Sequence, residues 1–151
     1  MKIYCARPIS GCSGEEVVEY YETIKNILTN LGYNVYIPMV GKGEMRTEVE
    51  FKADQPTHDN PLATNHAIYE RDKWMVTQSD IVFANLVDAK SVSIGTVMEM
   101  AWAALLGKHL VVAMGKADLH RHAFVLESAD VVFETAPEAM RYLKQLIERS
   151  M

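Results

Sequence analysis

Two cysteines in 151 residues are too few for a disulfide framework, and both, Cys5 and Cys12, fall in or beside the first strand-like run. That usage fits a reduced, cytoplasmic setting. The opening Met1-Lys2-Ile3-Tyr4-Cys5 enters the strand directly, without a charged-then-apolar leader. Although 49% of the residues are hydrophobic, no apolar run approaches the roughly 20 residues of a membrane span. Basic charge is also short, with 15 Lys and Arg against 20 Asp and Glu and a net charge of −5. Without a basic stripe, polymeric nucleic acid is a poor partner, although local positive charge can still hold a small phosphate. Metal-ligand spacing is missing, because His120-Arg121-His122 is too sparse for zinc. Neither a metal nor a cofactor is expected. The dinucleotide fingerprint, the Walker A loop and the Gly-x-Ser-x-Gly elbow are absent too.

What is present is an alternation of short β-prone runs and helical periods. Lys2 to Ala6 reads as a buried strand, followed by a turn over Arg7 to Gly14 and a helix over about 15–31. Acidic Glu15 and Glu16 suit that helix's first turn, and Gly32 suits its stop. A second strand is expected from Asn34 to Pro38, a helix from Ala63 to Gln78, and a third strand from Ile81 to Leu86. A helix from about Ile94 to Leu106 follows, then strands at Leu110 to Met114 and Val131 to Phe133. Between those last two, 115–127 reads as a loop with a short helical piece, and Pro137 opens a final helix. The expectation is one α/β domain over residues 1–151, a flavodoxin/Rossmann-like three-layer sandwich. Its five-stranded parallel sheet takes the order 2-1-3-4-5. The polar connection at about 39–61 has no sustained period, and a stretch this long reads as a lid or substrate-contacting loop rather than a floppy insertion. Arg46, Glu48, Glu50, Phe51, His58 and Asp59 lie in it.

Ligands of such sheets bind beyond the strands' carboxyl ends. The segment Ser91 to Ala103 is therefore the centre of interest, since it follows a buried strand and opens a helix with small residues, hydroxyls and Gly95. Those suit an approaching phosphate. The same helix carries Glu99 on an otherwise apolar surface, where an unpaired carboxylate would be costly. Asp72, on the preceding helix, can converge on the same crevice, and two carboxylates suit acid–base plus nucleophilic work. Tyr4 is read as projecting outward near the end of the first strand. The Ser10-Gly11-Cys12-Ser13-Gly14 turn can hold one phosphate or be a plain tight turn.

Four segments in this order resemble the nucleoside 2-deoxyribosyltransferase family. They are Lys2-Ile3-Tyr4-Cys5-Ala6-Arg7-Pro8-Ile9-Ser10-Gly11, Tyr69-Glu70-Arg71-Asp72, Ser79-Asp80-Ile81-Val82-Phe83-Ala84-Asn85-Leu86 and Gly95-Thr96-Val97-Met98-Glu99-Met100-Ala101-Trp102-Ala103. The resemblance implies cleavage of an N-glycosidic bond through a glycosyl-glutamate. In it Glu99 matches the nucleophile, Asp72 the carboxylate that handles the leaving base's proton, and Tyr4 the tyrosine that orients the glutamate. Six residues before Glu99, members acting on free nucleosides usually carry an aspartate, whereas this chain has Ser93. Serine there resembles the nucleoside 5′-monophosphate N-glycosidases, including the 2′-deoxynucleoside 5′-phosphate N-hydrolases. The physics agrees, because an aspartate repels a phosphate dianion and a hydroxyl donates to it.

The resemblance further implies phosphate and sugar contacts from Ser10, Gly11, Ser93 and Gly95. His122 is expected near a phosphate of the neighbouring subunit in a homodimer or larger assembly with shared sites. Two departures stand out. Ala101 replaces a frequent glycine, and no arginine follows Ile9, a charge that Arg7 offers from another angle. Base exchange on free deoxynucleosides is the alternative within the same chemistry. A non-catalytic nucleotide sensor and an NAD glycohydrolase are the others, and the pair of carboxylates favours catalysis over sensing.

Overall fold

Successive residues of a strand face opposite sides of a sheet, and here both sides are apolar. In β1 (Lys2–Ala6), Ile3 and Cys5 enter one buried cluster while Tyr4 and Ala6 enter another. The same split divides Ile81 and Phe83 from Val82 and Ala84 in β3 (Ile81–Asn85). It also divides Val111 and Ala113 from Leu110 and Val112 in β4 (His109–Ala113). A sheet buried on both faces is what continuous apolar runs specify. With β2 (Asn34–Tyr36) and β5 (Val131–Phe133), the strands form one parallel sheet in the order β2-β1-β3-β4-β5. This is the expected order. The computed structural model describes residues 1–39, 47, 50, 51 and 60–150. Arg46, Glu48, His58 and Asp59 of the long connection lie outside the described residues.

Helices α1 (Gly14–Asn30) and α5 (Ala136–Ser150) cover the Ile3 face through Val17, Tyr21, Leu28, Leu143 and Ile147. On the Tyr4 face lie α2 (Asn65–Gln78), α3 (Ile94–Leu105) and α4 (Ala123–Ser128), which contribute Met75, Met100, Ala103 and Val125. Each fully buried side chain of Leu or Phe size stabilises such a core by about 1.5–3 kcal/mol. Among the described residues no helix is long and apolar enough to cross a membrane. No group of three His, Cys, Asp or Glu among them is placed to hold a metal.

Local chemistry sets the boundaries. Ser13 and Glu16 close α1 with a capping box, each side chain bonded to the other's backbone N–H at 3.2 and 2.8 Å. The chain leaves α1 through Gly32 at φ +100°, a conformation that favours glycine. Two boundaries differ from expectation by more than one residue. β2 stops at Tyr36, short of Pro38, which has no N–H to extend a ladder. A short 3₁₀ turn, Pro61–Ala63, stands before α2, which Thr64 caps by accepting from the Ala67 N–H. Asp80 ties the sheet by accepting the Lys2 N–H at 2.7 Å.

Because all strands are parallel, the loops after β1, β2, β3 and β4 leave from one edge. The chain turns one way from β1 to β2 and the other way from β3 to β4, so the crevice opens above β1 and β3. Two ties draw the rim together. Gly11, at φ +82°, offers its carbonyl to Lys90 Nζ at 2.8 Å, joining the β1–α1 turn to the β3–α3 turn. Phe51, buried in the Ile3-side core, accepts from the Gly11 N–H and donates to the Cys12 carbonyl, both at 2.9 Å.

Candidate active site

The strand pattern sends Tyr4 from β1 toward α3, and Glu99 lies about a turn and a half into α3. Their side chains meet where a buried phenol needs an acceptor and a buried carboxylate needs a donor. The Tyr4 hydroxyl donates to Glu99 Oε1 at 2.6 Å. Tyr4 is therefore fully buried, and the outward placement read from the sequence is corrected. Its side of the sheet carries α2 and α3, so the crevice lies above the ring. Burial pushes the Tyr4 phenol well above its ordinary value, and the charges of Glu99 and Asp72 push the same way. The phenol is held as a donor.

Asp72 enters from α2 and is 8% exposed, against 9% for Glu99. The Arg71 Nε lies 3.9 Å from Asp72 Oδ1. Both carboxylates line a cavity of about 430 Å³ at the sheet's carboxyl edge, a volume that suits a small-molecule ligand. Arg7 and Ser10 from the β1–α1 turn line it as well, as do Ser93, Gly95 and Thr96 at the start of α3. Arg7 is steadied by stacking its guanidinium 4.1 Å above the Tyr20 ring.

The start of α3 is built in layers. Ser93 is the N-cap, its Oγ accepting from the Thr96 N–H at 3.2 Å and bonding the Thr96 hydroxyl at 3.0 Å. The Ser93 N–H itself donates to His120 Nε2 at 2.8 Å. With Nε2 accepting, the His120 proton sits on Nδ1 and is donated to Asp118 Oδ1 at 2.9 Å. Asp118 and His120 thus fix the backbone on which Ser93 stands. Ile94 and Gly95, next in the chain, face the cavity, and the first N–H groups of a helix have no partner within it.

The structure brings together Tyr4, Asp72, Glu99, Arg7, Ser10, Ser93 and Gly95. Gly11 sits at the rim, with its N–H and carbonyl committed to Phe51 and Lys90. Within one chain His122 is away from the cavity lining. It caps α4 by accepting from the Phe124 N–H at 3.2 Å and packs edge-on against the Phe124 ring. The histidine that reaches the α3 start is His120, two residues earlier. In the sequence it belongs only to a sparse cluster with Arg121 and His122. Tyr21, which belongs to the apolar face of α1, also lines the cavity.

Comparison with known proteins adds to this geometry. A family profile described as nucleoside 2-deoxyribosyltransferase matches residues 3–141. Comparison with curated protein sequences gives no significant match. Among solved structures, a 2-deoxyribosyltransferase from the psychrotolerant bacterium Bacillus psychrosaccharolyticus superposes with a TM-score of 0.66 and 19% identity, over 94% of this chain and 92% of that one. The Clostridium botulinum CMP N-glycosidase BcmB gives 0.58 and 15% identity, covering 100% of both chains. The solution structure of BlsM gives 0.52 and 15%, over 98% of this chain and 90% of that one. At these identities the likeness is one of fold.

Proposed function

Since the chain belongs to the nucleoside 2-deoxyribosyltransferase family, we propose that it is an enzyme that hydrolyses the N-glycosidic bond of a nucleoside 5′-monophosphate through a covalent glycosyl-Glu99 intermediate. One observation carries the reading: Glu99, held by Tyr4 at 2.6 Å, shares a cavity with a second buried carboxylate, Asp72.

In the first step a Glu99 carboxylate oxygen bonds to the anomeric carbon as the bond from that carbon to the base nitrogen breaks. The base leaves with the electron pair and takes a proton from Asp72. In the second step a water attacks the anomeric carbon, gives its proton to Asp72 and releases Glu99. Base and sugar 5-phosphate are the products. Tyr4 keeps the nucleophile aligned and spreads its charge, and the two carboxylates stabilise the oxocarbenium-like centre between them.

The phosphate reading rests on the α3 start. An N-cap hydroxyl, a side-chain-free Gly95 and the positive end of a 12-residue helix line one wall, and Arg7 supplies a positive charge on the same cavity. An acid at position 93 would oppose a phosphate there. We place the reaction in an assembly of two or more copies. Leu105 and Phe124, 84% and 81% exposed, line one apolar groove between α3 and α4, and apolar surface of that kind marks protein contacts. Incubation with CMP, dCMP, dGMP and the free deoxynucleosides, with and without an added base, tests the substrate class. Base and sugar phosphate from the monophosphates, with no base exchange, is the expected result. Reaction of the free deoxynucleosides alone would refute the phosphate assignment.

A further inference from the structure

Four of the seven tyrosines pair their hydroxyls within the described residues. Tyr4 donates to Glu99, Tyr20 accepts from Asn85, Tyr33 donates to the Leu143 carbonyl and Tyr142 bonds His109. Among the three buried tyrosines, Tyr4, Tyr21 and Tyr33, Tyr21 is the exception. It is 1% exposed, and its hydroxyl has no hydrogen-bond partner among the described residues. A buried donor left in this state is costly, and native folds carry few of them.

Its position gives the exception a use. Tyr21 lies two turns into α1, on the far face of the sheet from Tyr4, yet it reaches the wall of the cavity that holds Asp72 and Glu99. The ring is held edge-on against Tyr20 with centroids 5.3 Å apart, so the hydroxyl is carried on a fixed arm. Burial raises the phenol well above its ordinary value, and the Glu99 charge raises it further. The group is therefore a neutral donor that needs an acceptor and stands within the field of the nucleophile. The carboxylate does not supply that acceptor, for the two are not hydrogen-bonded.

We infer that Tyr21 is a substrate-binding residue whose hydroxyl donates to a neutral oxygen of the nucleoside near the anomeric carbon. The oxygens available there are the 2′-hydroxyl of a ribose, the ring oxygen and a carbonyl of the base. Binding substrate would satisfy a donor that the fold itself leaves unsatisfied, so the contact adds to binding and helps fix the sugar over Glu99. This inference rests on the N-glycosidase reading of the same cavity.

The test compares wild type, Tyr21→Phe and Glu99→Gln on CMP and dCMP, with circular dichroism and melting temperature read alongside. The Phe variant keeps the ring and removes only the hydroxyl. Its melting point should hold or rise, while kcat/KM falls about fivefold to tenfold, the worth of one neutral hydrogen bond. A loss on CMP that disappears on dCMP identifies the 2′-hydroxyl as the acceptor. An equal loss on both identifies the ring oxygen or the base carbonyl, and either result supports the inference. Unchanged kcat/KM on both nucleotides overturns it, as does a lowered melting point, which would show that the hydroxyl has a structural partner. If Glu99→Gln retains wild-type turnover, or wild type turns over neither nucleotide, the underlying reaction assignment fails instead and this inference goes with it.

Discussion

Tyr4 and Glu99, 95 residues apart in the chain, are joined by a side-chain hydrogen bond of 2.6 Å from phenol to Oε1. The two ends of the bond respond differently to substitution. Glu99→Gln keeps an acceptor for the phenol and should fold normally with turnover abolished. Glu99→Ala should be equally inactive but less stable by about 1–3 kcal/mol, because it strands a buried donor. Tyr4→Phe should reduce kcat by about 10- to 100-fold with a smaller change in KM, since the lost bond acts on alignment and charge of the nucleophile. Steady-state kinetics with urea unfolding of all three variants checks these outcomes.

Ser93 has two duties that separate by substitution. As the N-cap of α3 it accepts from the Thr96 N–H, so Ser93→Ala should lower stability by about 1 kcal/mol. Ser93→Asp keeps a capping oxygen and should restore that stability while introducing negative charge at the phosphate wall. Its KM for a 5′-monophosphate should rise at least about tenfold, with the free nucleoside little affected. Equal changes on both substrates would remove Ser93 from phosphate recognition.

His120 is expected to act through Ser93 rather than on substrate. Its Nε2 is the acceptor for the Ser93 N–H, and Asp118 fixes its tautomer. His120→Ala strands that N–H and should cost about 1–3 kcal/mol, with KM for the monophosphate rising more than kcat falls. Asp118→Asn, which can still accept from Nδ1–H, should be milder. Melting curves and a KM-against-kcat comparison decide the point.

Stability should fall on the alkaline side. Tyr4 and Tyr21 are held well above their ordinary value, and Tyr20 and Tyr33 are each pushed up to about 12, in every case chiefly by burial. An unfolded phenol titrates near pH 10. Above that pH the unfolded chain releases protons that the native state retains, so unfolding becomes more favourable as pH rises. The stabilisation is complete below about pH 10 and declines as pH climbs toward the folded values, by up to about 1.4 kcal/mol per pH unit for each such group. Urea unfolding at half-unit steps from pH 8 to 12 should show this decline, and a flat profile would contradict it.

The fold was legible in the sequence because its signals are local. Apolar runs bounded by Gly32, Gly107 and Pro137 mark the elements, and the alternation of strand and helix leaves few topologies. The carboxylates were legible as well, since Glu99 interrupts an apolar helix. Contacts between elements were not. No periodicity reveals that Tyr4 faces inward to Glu99, because a strand buried on both faces has no polar side to distinguish. Tyr21 fits the apolar stripe of α1 through its ring, and only the environment of its hydroxyl sets it apart. His120 and His122 are equivalent in a sparse cluster until the loop closes, with one turned to Ser93 and the other to the α4 cap. Phe51 sits in a segment without a period, yet it is bonded across to Gly11 and Cys12.

The central claim is that Glu99 forms a bond to the sugar. Acid quenching of the enzyme during turnover of a nucleoside 5′-monophosphate, followed by peptide mass spectrometry, tests it directly. The account predicts a sugar-phosphate adduct on the peptide that carries Glu99, lost on chase with fresh water and absent from Glu99→Gln. Turnover by Glu99→Gln at the wild-type rate, or an adduct on any other residue, would contradict it.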